Sequence, residues 1–406
     1  MGNKLVLGKG MKASLRWIYV FLGIIIMICF GTVYSWSIFR IPVEKVFNIG
    51  STQSGLPYMT SLAFYALFMM LSGRYFDKFT PKAIILTGSL LLSFGWILSS
   101  FSSNIYILTI TYGVIGGAGV GIAYGVPIAI VTKWFPEKKG FAIGFVLLGF
   151  GISPLVTAPL ARFLIEIFGV MKSFLILGVA FGIIVPILSY QFKYPSELEA
   201  RMLKKKSGKD DESNDKDTKE MVRSNSFKGL YVNFIIGTMI GLMLIGITNN
   251  VGIQLIGLSQ KKVASMISVF AIFNGLGRPV FGWITDKLSS KKAMLISYNL
   301  IIIAALLMLF SDSDNTTLFS IAFSIFWFNL GGWLSIAPTS TGILYGTKYY
   351  SQNFGVVFTA YGIGAILGVA SSGLILDIFK NYYYIFYLII GLCVLGCLLT
   401  FKTIKE

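Results

Sequence analysis

The chain has 406 residues, of which 55% are hydrophobic and only 13% charged, and its mean hydropathy is +0.77. Soluble domains carry about 25% charged residues, so composition excludes an ordinary soluble domain and places the chain in a bilayer. The net charge of +17 would suit a nucleic-acid binder, but no basic stripe is interleaved with aromatics, which excludes that class.

A hydrocarbon core of roughly 30 Å needs about 20 apolar residues per helical crossing. Twelve such runs lie near 17–39, 53–72, 83–101, 105–130, 141–164, 173–192, 229–251, 263–284, 293–310, 317–342, 354–376 and 382–401. The first is too long for a signal-peptide core and lacks a small-residue cleavage site, so it reads as a retained span. The fourth contains "GVIGGAGVGIAYGVP", which superficially resembles a dinucleotide loop. It has no G-x-G-x-x-G and lies inside a span, while Gly117, Gly121 and Gly125 recur every four residues and line one face for close helix packing.

After the sixth run, residues 193–228 turn abruptly polar: "KKKSGKDDESNDKDTKE" is dense in both charges and free of aromatics. Such a segment buries too little apolar surface to offset its ordering entropy, which predicts a disordered linker. The expected organisation is therefore a six-helix half over 1–192, a charged linker over 193–228 and a second six-helix half over 229–406. With the spans drawn, segments on the amino-terminal side of the membrane hold 26 Lys/Arg against 12 Asp/Glu, and the opposite segments hold 7 against 5. That is the positive-inside bias, and it predicts cytoplasmic termini and a cytoplasmic linker. Short termini without a transit segment point to a plasma membrane of bacterial type.

Three cysteines, all within spans, and no histidine leave little material for a metal site or a histidine-based catalytic centre. No nucleophile–base pair is visible either, so an enzyme is not expected.

One residue breaks the apolar pattern. From Val263 to Ile284, Arg278 is the only charge, about six residues or roughly 9 Å of helical rise from the cytoplasmic end of its span. An arginine at such depth costs at least ~2.5–3.5 kcal/mol on insertion scales. Arg40, Lys133, Arg162 and Lys348 lie at span ends, where snorkelling relieves that cost. Either Arg278 snorkels or bonds to backbone carbonyls, or its planar fork meets a carboxylate in a wet cavity. Asn274 stands one turn before it, Gly275 and Gly277 leave space, and Pro279 invites a bend of the kind found where transporter backbone lines a cavity. Tyr34, Tyr124 and Tyr361 offer rings with hydroxyls elsewhere along the spans.

An internal echo supports the two-half division. "GRYFDKFTPK" follows the second span and "GWITDKLSSKK" the eighth. Both resemble the cytoplasmic loop signature of the major facilitator superfamily, which implies an all-α fold of twelve transmembrane helices in two six-helix halves. The resemblance also implies gating roles for Gly73, Asp77, Lys78, Gly282, Asp286 and Lys287. "GGAGVGIAYG", "KWFPEKKG", "FNGLGRPVFGWITDK" and "SQNFGVVFTAYG" further resemble stretches of the oxalate/formate antiporter family and its monocarboxylate transporter relatives. That likeness implies a substrate carboxylate on Arg278, with Tyr34 and Tyr124 lining the pocket, Asn274 as orienter and Phe358 and Tyr361 shaping it.

The departures from that family narrow the cargo. Tyr361 stands where oxalate exchangers have a second cation, Val33 where they have a glutamine, and Leu330 and Leu334 where they have a tryptophan and a tyrosine. With one buried cation a dianion would bring an uncompensated charge, so formate, lactate, pyruvate or a somewhat larger monocarboxylate is favoured over oxalate. Asn274 replaces the aspartate that proton symporters of this kind carry, which favours exchange or facilitated transport. The expected partners are that carboxylate and the lipid bilayer; the chain is expected to act as a monomer without cofactor or metal. Export of drugs or amphiphiles, with Arg278 structural, and a non-cycling anion sensor are the competing readings.

Overall fold

The structure is a computed structural model that describes residues 16–49, 51–76, 78–196, 199, 215–311 and 316–404. Among the described residues, eleven helices are long and apolar enough to cross a membrane, but one of them, Pro136–Ser189, has 54 residues, which would span ~80 Å at 1.5 Å per residue. Its backbone leaves helical geometry at Gly169, where φ is +78° and ψ is 164°. The chain reverses there: Ser35 bonds Thr157 on the way out, and Tyr19 meets Phe192 on the way back. Glycine adopts positive φ without steric penalty, and so the described residues form twelve spans.

These spans are α1 (Trp17–Ser35), α2 (Leu56–Gly73), α3 (Pro81–Ser99), α4 (Ile105–Trp134), α5 (139–168) and α6 (170–189). They continue with α7 (Asn225–Asn250), α8 (Gln260–Lys287), α9 (Ser290–Leu309), α10 (Thr316–Tyr345), α11 (Tyr350–Phe379) and α12 (Tyr383–Thr403). The glycine face of α4 packs as its spacing predicts. A Cβ added at Gly117 would stand 2.5 Å from the Ser61 carbonyl oxygen of α2, while Gly119 faces Gly88 of α3.

Two seams join the halves, α5 against α8 and α2 against α11. At Gly144 an added Cβ would lie 2.5 Å from both the Arg278 carbonyl oxygen and Pro279 Cα, and at Gly73 it would lie 2.5 Å from the Ser351 carbonyl oxygen. Gly140 and Gly282 abut further along the first seam. Both seams are tight at the end of the bundle that holds Arg16, the linker and Ile404.

The linker departs from expectation. Residues 215–228 are structured: Asp217 and Glu220 form a capping box at the start of a short helix, Thr218–Arg223. The Asp215 carboxylate accepts from the Thr347 and Lys348 amides at 3.0 and 3.2 Å, and the Thr218 hydroxyl donates to Asn353 at 2.9 Å. Charged composition predicts disorder for a chain in water; here caps and a docking surface on the α10–α11 loop provide the offsetting interactions.

Candidate functional site

Arg278 is fully buried. Its position at the α5–α8 crossing is permitted by Gly144 and Gly151, which let the two backbones approach; a Cβ at Gly151 would stand 2.8 Å from Gly275 Cα. One terminal nitrogen donates to the Leu147 carbonyl across the seam at 2.8 Å, and the other donates to Asn274 Oδ1 at 3.3 Å. Asn274 is held in turn by donation from its Nδ2 to the Trp327 carbonyl at 3.1 Å. The guanidinium carbon sits 5.6 Å from the centre of the Phe150 ring. Arg278 Nε has no hydrogen-bond partner, and among the described residues no carboxylate pairs with the guanidinium. Arg278 therefore does not snorkel; it is partly held by backbone and amide, with its Nε nitrogen left without a partner.

Beside it lies a chamber of about 390 Å³ between the halves. Tyr34, Gly151 and Asn274 form its inner end, and Arg162 and Glu166 stand at its outer end, where both are exposed. Arg278 itself is one layer behind the floor. A Cβ at Gly151 would lie 3.0 Å from both Arg278 Nε and Asn274 Oδ1, so the bare glycine is what separates the unpartnered donor from the chamber.

The expected site residues divide into two groups. Tyr34 and Asn274 line the chamber. Tyr124, Phe358 and Tyr361 do not; they are fully buried in a ring cluster completed by Tyr65 and Phe150. Tyr65 lies 5.0 Å from the rings of both Tyr124 and Phe358, and Phe358 stacks on Tyr361 at 5.0 Å. The cluster reaches the chamber through Tyr34, whose hydroxyl is 2.8 Å from that of Tyr361. The guanidinium interacts electrostatically with Tyr34 and Tyr124. Val33, Leu330 and Leu334 are buried away from the chamber; Leu330 packs on Gly241 of α7. Sequence reasoning missed Tyr65, Phe150 and Trp327, and it treated Arg162 as a lipid-facing snorkel rather than a mouth residue.

The irregular backbone turns lie in helices other than α8. α8 runs unbroken through Pro279. Instead α1 tightens to a 3₁₀ turn over Gly31–Ser35, which carries Tyr34, and α4 widens to a π-helix over Thr109–Gly116. Such stretches often accompany functional sites because they turn side chains off the regular helical register.

At the closed end of the α5–α8 seam, Asp286 of the second half accepts from the Gly140 and Phe141 amides of the first, both at 3.0 Å. These are unsatisfied donors of the α5 amino terminus, where a carboxylate is stabilised by both hydrogen bonds and helix dipole. Gly282 packs beside it, whereas Lys287 is exposed. In the other loop Gly73 meets α11, Lys78 lies over the Tyr75 ring, and Asp77 is outside the described residues. All three cysteines are free thiols, and among the described residues no group of metal ligands forms.

The profile of the Major Facilitator Superfamily matches residues 17–368. The chain belongs to that superfamily. It is a multi-pass membrane transporter with a small-molecule substrate, as the comparisons with known transporters also indicate. It is 27% identical over 354 residues to the oxalate:formate antiporter of Oxalobacter formigenes, covering 87% of this chain and 83% of that one. It is likewise 27% identical to monocarboxylate transporter 12 of Xenopus laevis, over 75% of this chain and 70% of that one. In fold it is similar to the proton:xylose symporter XylE, with TM-score 0.75 at 13% identity over 97% of this chain and 96% of the other. The all-helical, twelve-span architecture expected from the sequence is that of the superfamily.

Proposed function

We propose that this transporter carries organic anions with a single carboxylate, by alternating access in a plasma membrane with both termini cytoplasmic. The observation that carries the reading is the buried Arg278 guanidinium at the seam between halves, without a carboxylate among its described partners and with Nε unpartnered behind the chamber floor. A buried cation retains a large desolvation cost unless it is paired, and a carboxylate arriving through the chamber supplies both the missing charge and an acceptor for Nε. The names of the two relatives favour the same class of cargo. Tyr34 and Asn274 orient the head group, while Tyr124, Phe358 and Tyr361 act from behind by holding Tyr34 and the ring cluster in place.

Arg278 also bonds to Leu147 of the opposite half, so the halves cannot separate there without breaking a charge-assisted hydrogen bond. A bound carboxylate replaces that acceptor and lowers the cost of the transition; the empty carrier lacks the replacement. Exchange is therefore faster than net flux. Proteoliposomes preloaded with unlabelled monocarboxylate are expected to take up labelled substrate faster than empty ones at the same external concentration. Equal initial rates would remove the basis for exchange.

A further inference from the structure

The chamber constrains the rest of the cargo, given the reading that a carboxylate docks at Arg278. Its volume of about 390 Å³ has room for about a dozen waters at ~30 Å³ each, whereas a one- to three-carbon acid fills only a small part of it. Its polarity is also one-sided. Tyr34, Asn274 and the concealed Arg278 Nε sit at the inner end. The walls beyond are mainly apolar: Ile245, Ile267, Ala271 and Trp327 from the second half face Leu155 and Ala158 from the first, with Ser35, Tyr58 and Ser268 the polar side chains among them. At the outer end Arg162 and Glu166 bring charges of opposite sign to the mouth, which provides no net cationic site for a second carboxylate. The opening beside Gly151 is narrow, since even a methyl there would touch Arg278 Nε and Asn274 Oδ1 at 3.0 Å. A Cβ there would also stand 2.8 Å from Gly275 Cα, so α5 and α8 must part slightly before a flat carboxylate enters, and further for any bulky group.

We infer that the cargo is an amphipathic monocarboxylate whose aromatic or branched body, well beyond three carbons, occupies the apolar chamber while its carboxylate reaches Arg278 past Gly151. Small acids leave the Ile245, Ile267 and Trp327 walls wet, and only a larger body displaces that water. Each methylene that enters the chamber is expected to tighten binding about fourfold (~0.8 kcal/mol).

The test measures dissociation constants of protein in lipid nanodiscs for formate, lactate, butyrate, hexanoate and phenylacetate. The neutral amides of the last two serve as controls for partition into lipid. Affinity is expected to rise about fourfold per methylene from butyrate to hexanoate, phenylacetate to bind tighter than lactate, and the amides to bind at least tenfold more weakly than their acids. Ala271→Phe, which narrows the chamber, is expected to weaken hexanoate and phenylacetate while sparing formate. If formate or lactate binds as tightly as hexanoate, or if Ala271→Phe weakens all acids equally, the amphipathic assignment is overturned and the carboxylate reading stands. Amides that bind as tightly as their acids overturn the carboxylate reading itself.

Discussion

The two ends of the α5–α8 seam are built from different residues and behave differently. At the linker end, Gly140, Gly144 and Gly282 bring backbones into contact and Asp286 closes the joint with two hydrogen bonds. At the other end Leu155 and Ala158 stand apart from Ile267 and Ala271, and the chamber lies between them. Arg278, bonded to Leu147 across the seam, marks the boundary. The contrast teaches that closure depends on missing side chains plus a removable polar latch, while the open end keeps apolar walls that can part without leaving polar groups unsatisfied. A transporter that alternates needs a joint strong enough to close yet weak enough to release.

The largest expected disturbance of this asymmetry is Gly144→Leu, because a side chain there meets the Arg278 carbonyl and the Pro279 ring backbone rather than a flexible neighbour. The linker end should be unable to close. A cysteine introduced at Ser335, which is buried at that end, should react with a hydrophilic thiol reagent at least tenfold faster in the Gly144→Leu background. Unchanged reactivity would mean that the seam tolerates what its geometry forbids.

Asp286→Asn should act in the same direction with a smaller effect. It retains one acceptor oxygen but loses the charge that makes each hydrogen bond worth about 1.5–3 kcal/mol, so reactivity at the same reporter position should rise about three- to tenfold. Asp215→Ala should do least. It removes two hydrogen bonds at the partly exposed α10–α11 loop, and amide exchange over residues 215–224 should quicken severalfold while transport remains near normal. A rise in reactivity at the Ser335→Cys reporter as large as that of Asp286→Asn would show that the docked linker belongs to the latch.

Much of the architecture was legible in the sequence because a bilayer permits few solutions. Span number and the packing face of α4 follow from run length and glycine spacing. Arg278 stood out because a single charge in a long apolar run has few explanations. The details around it were not legible. Every face of α2, α4, α10 and α11 is rich in apolar or aromatic residues, so periodicity does not say which ring faces the chamber. Tyr65 and Phe150 were therefore not singled out, and Tyr124, expected to line the pocket, and Phe358 and Tyr361, expected to shape it, lie in the ring cluster behind Tyr34. The 3₁₀ turn that carries Tyr34 lacks the proline that drew attention to α8, where the helix continues unbroken past Pro279. The window at Gly151 depends on how closely α5 and α8 cross, which only three-dimensional packing determines.

In the proposed transport cycle Arg278 neutralises one carboxylate at the boundary between the closed and open ends. Initial rates of labelled monocarboxylate counterflow in proteoliposomes, compared between the wild-type chain and Arg278→Ala at equal reconstituted amounts, test it most directly. Removing one partner of a buried charge pair costs about 2–5 kcal/mol, so the account predicts a loss of at least about thirtyfold. Arg278→Lys is expected to recover only part of it, because an ammonium cannot reproduce the planar fork. Carboxylate flux in Arg278→Ala that equals the wild-type rate would contradict the account.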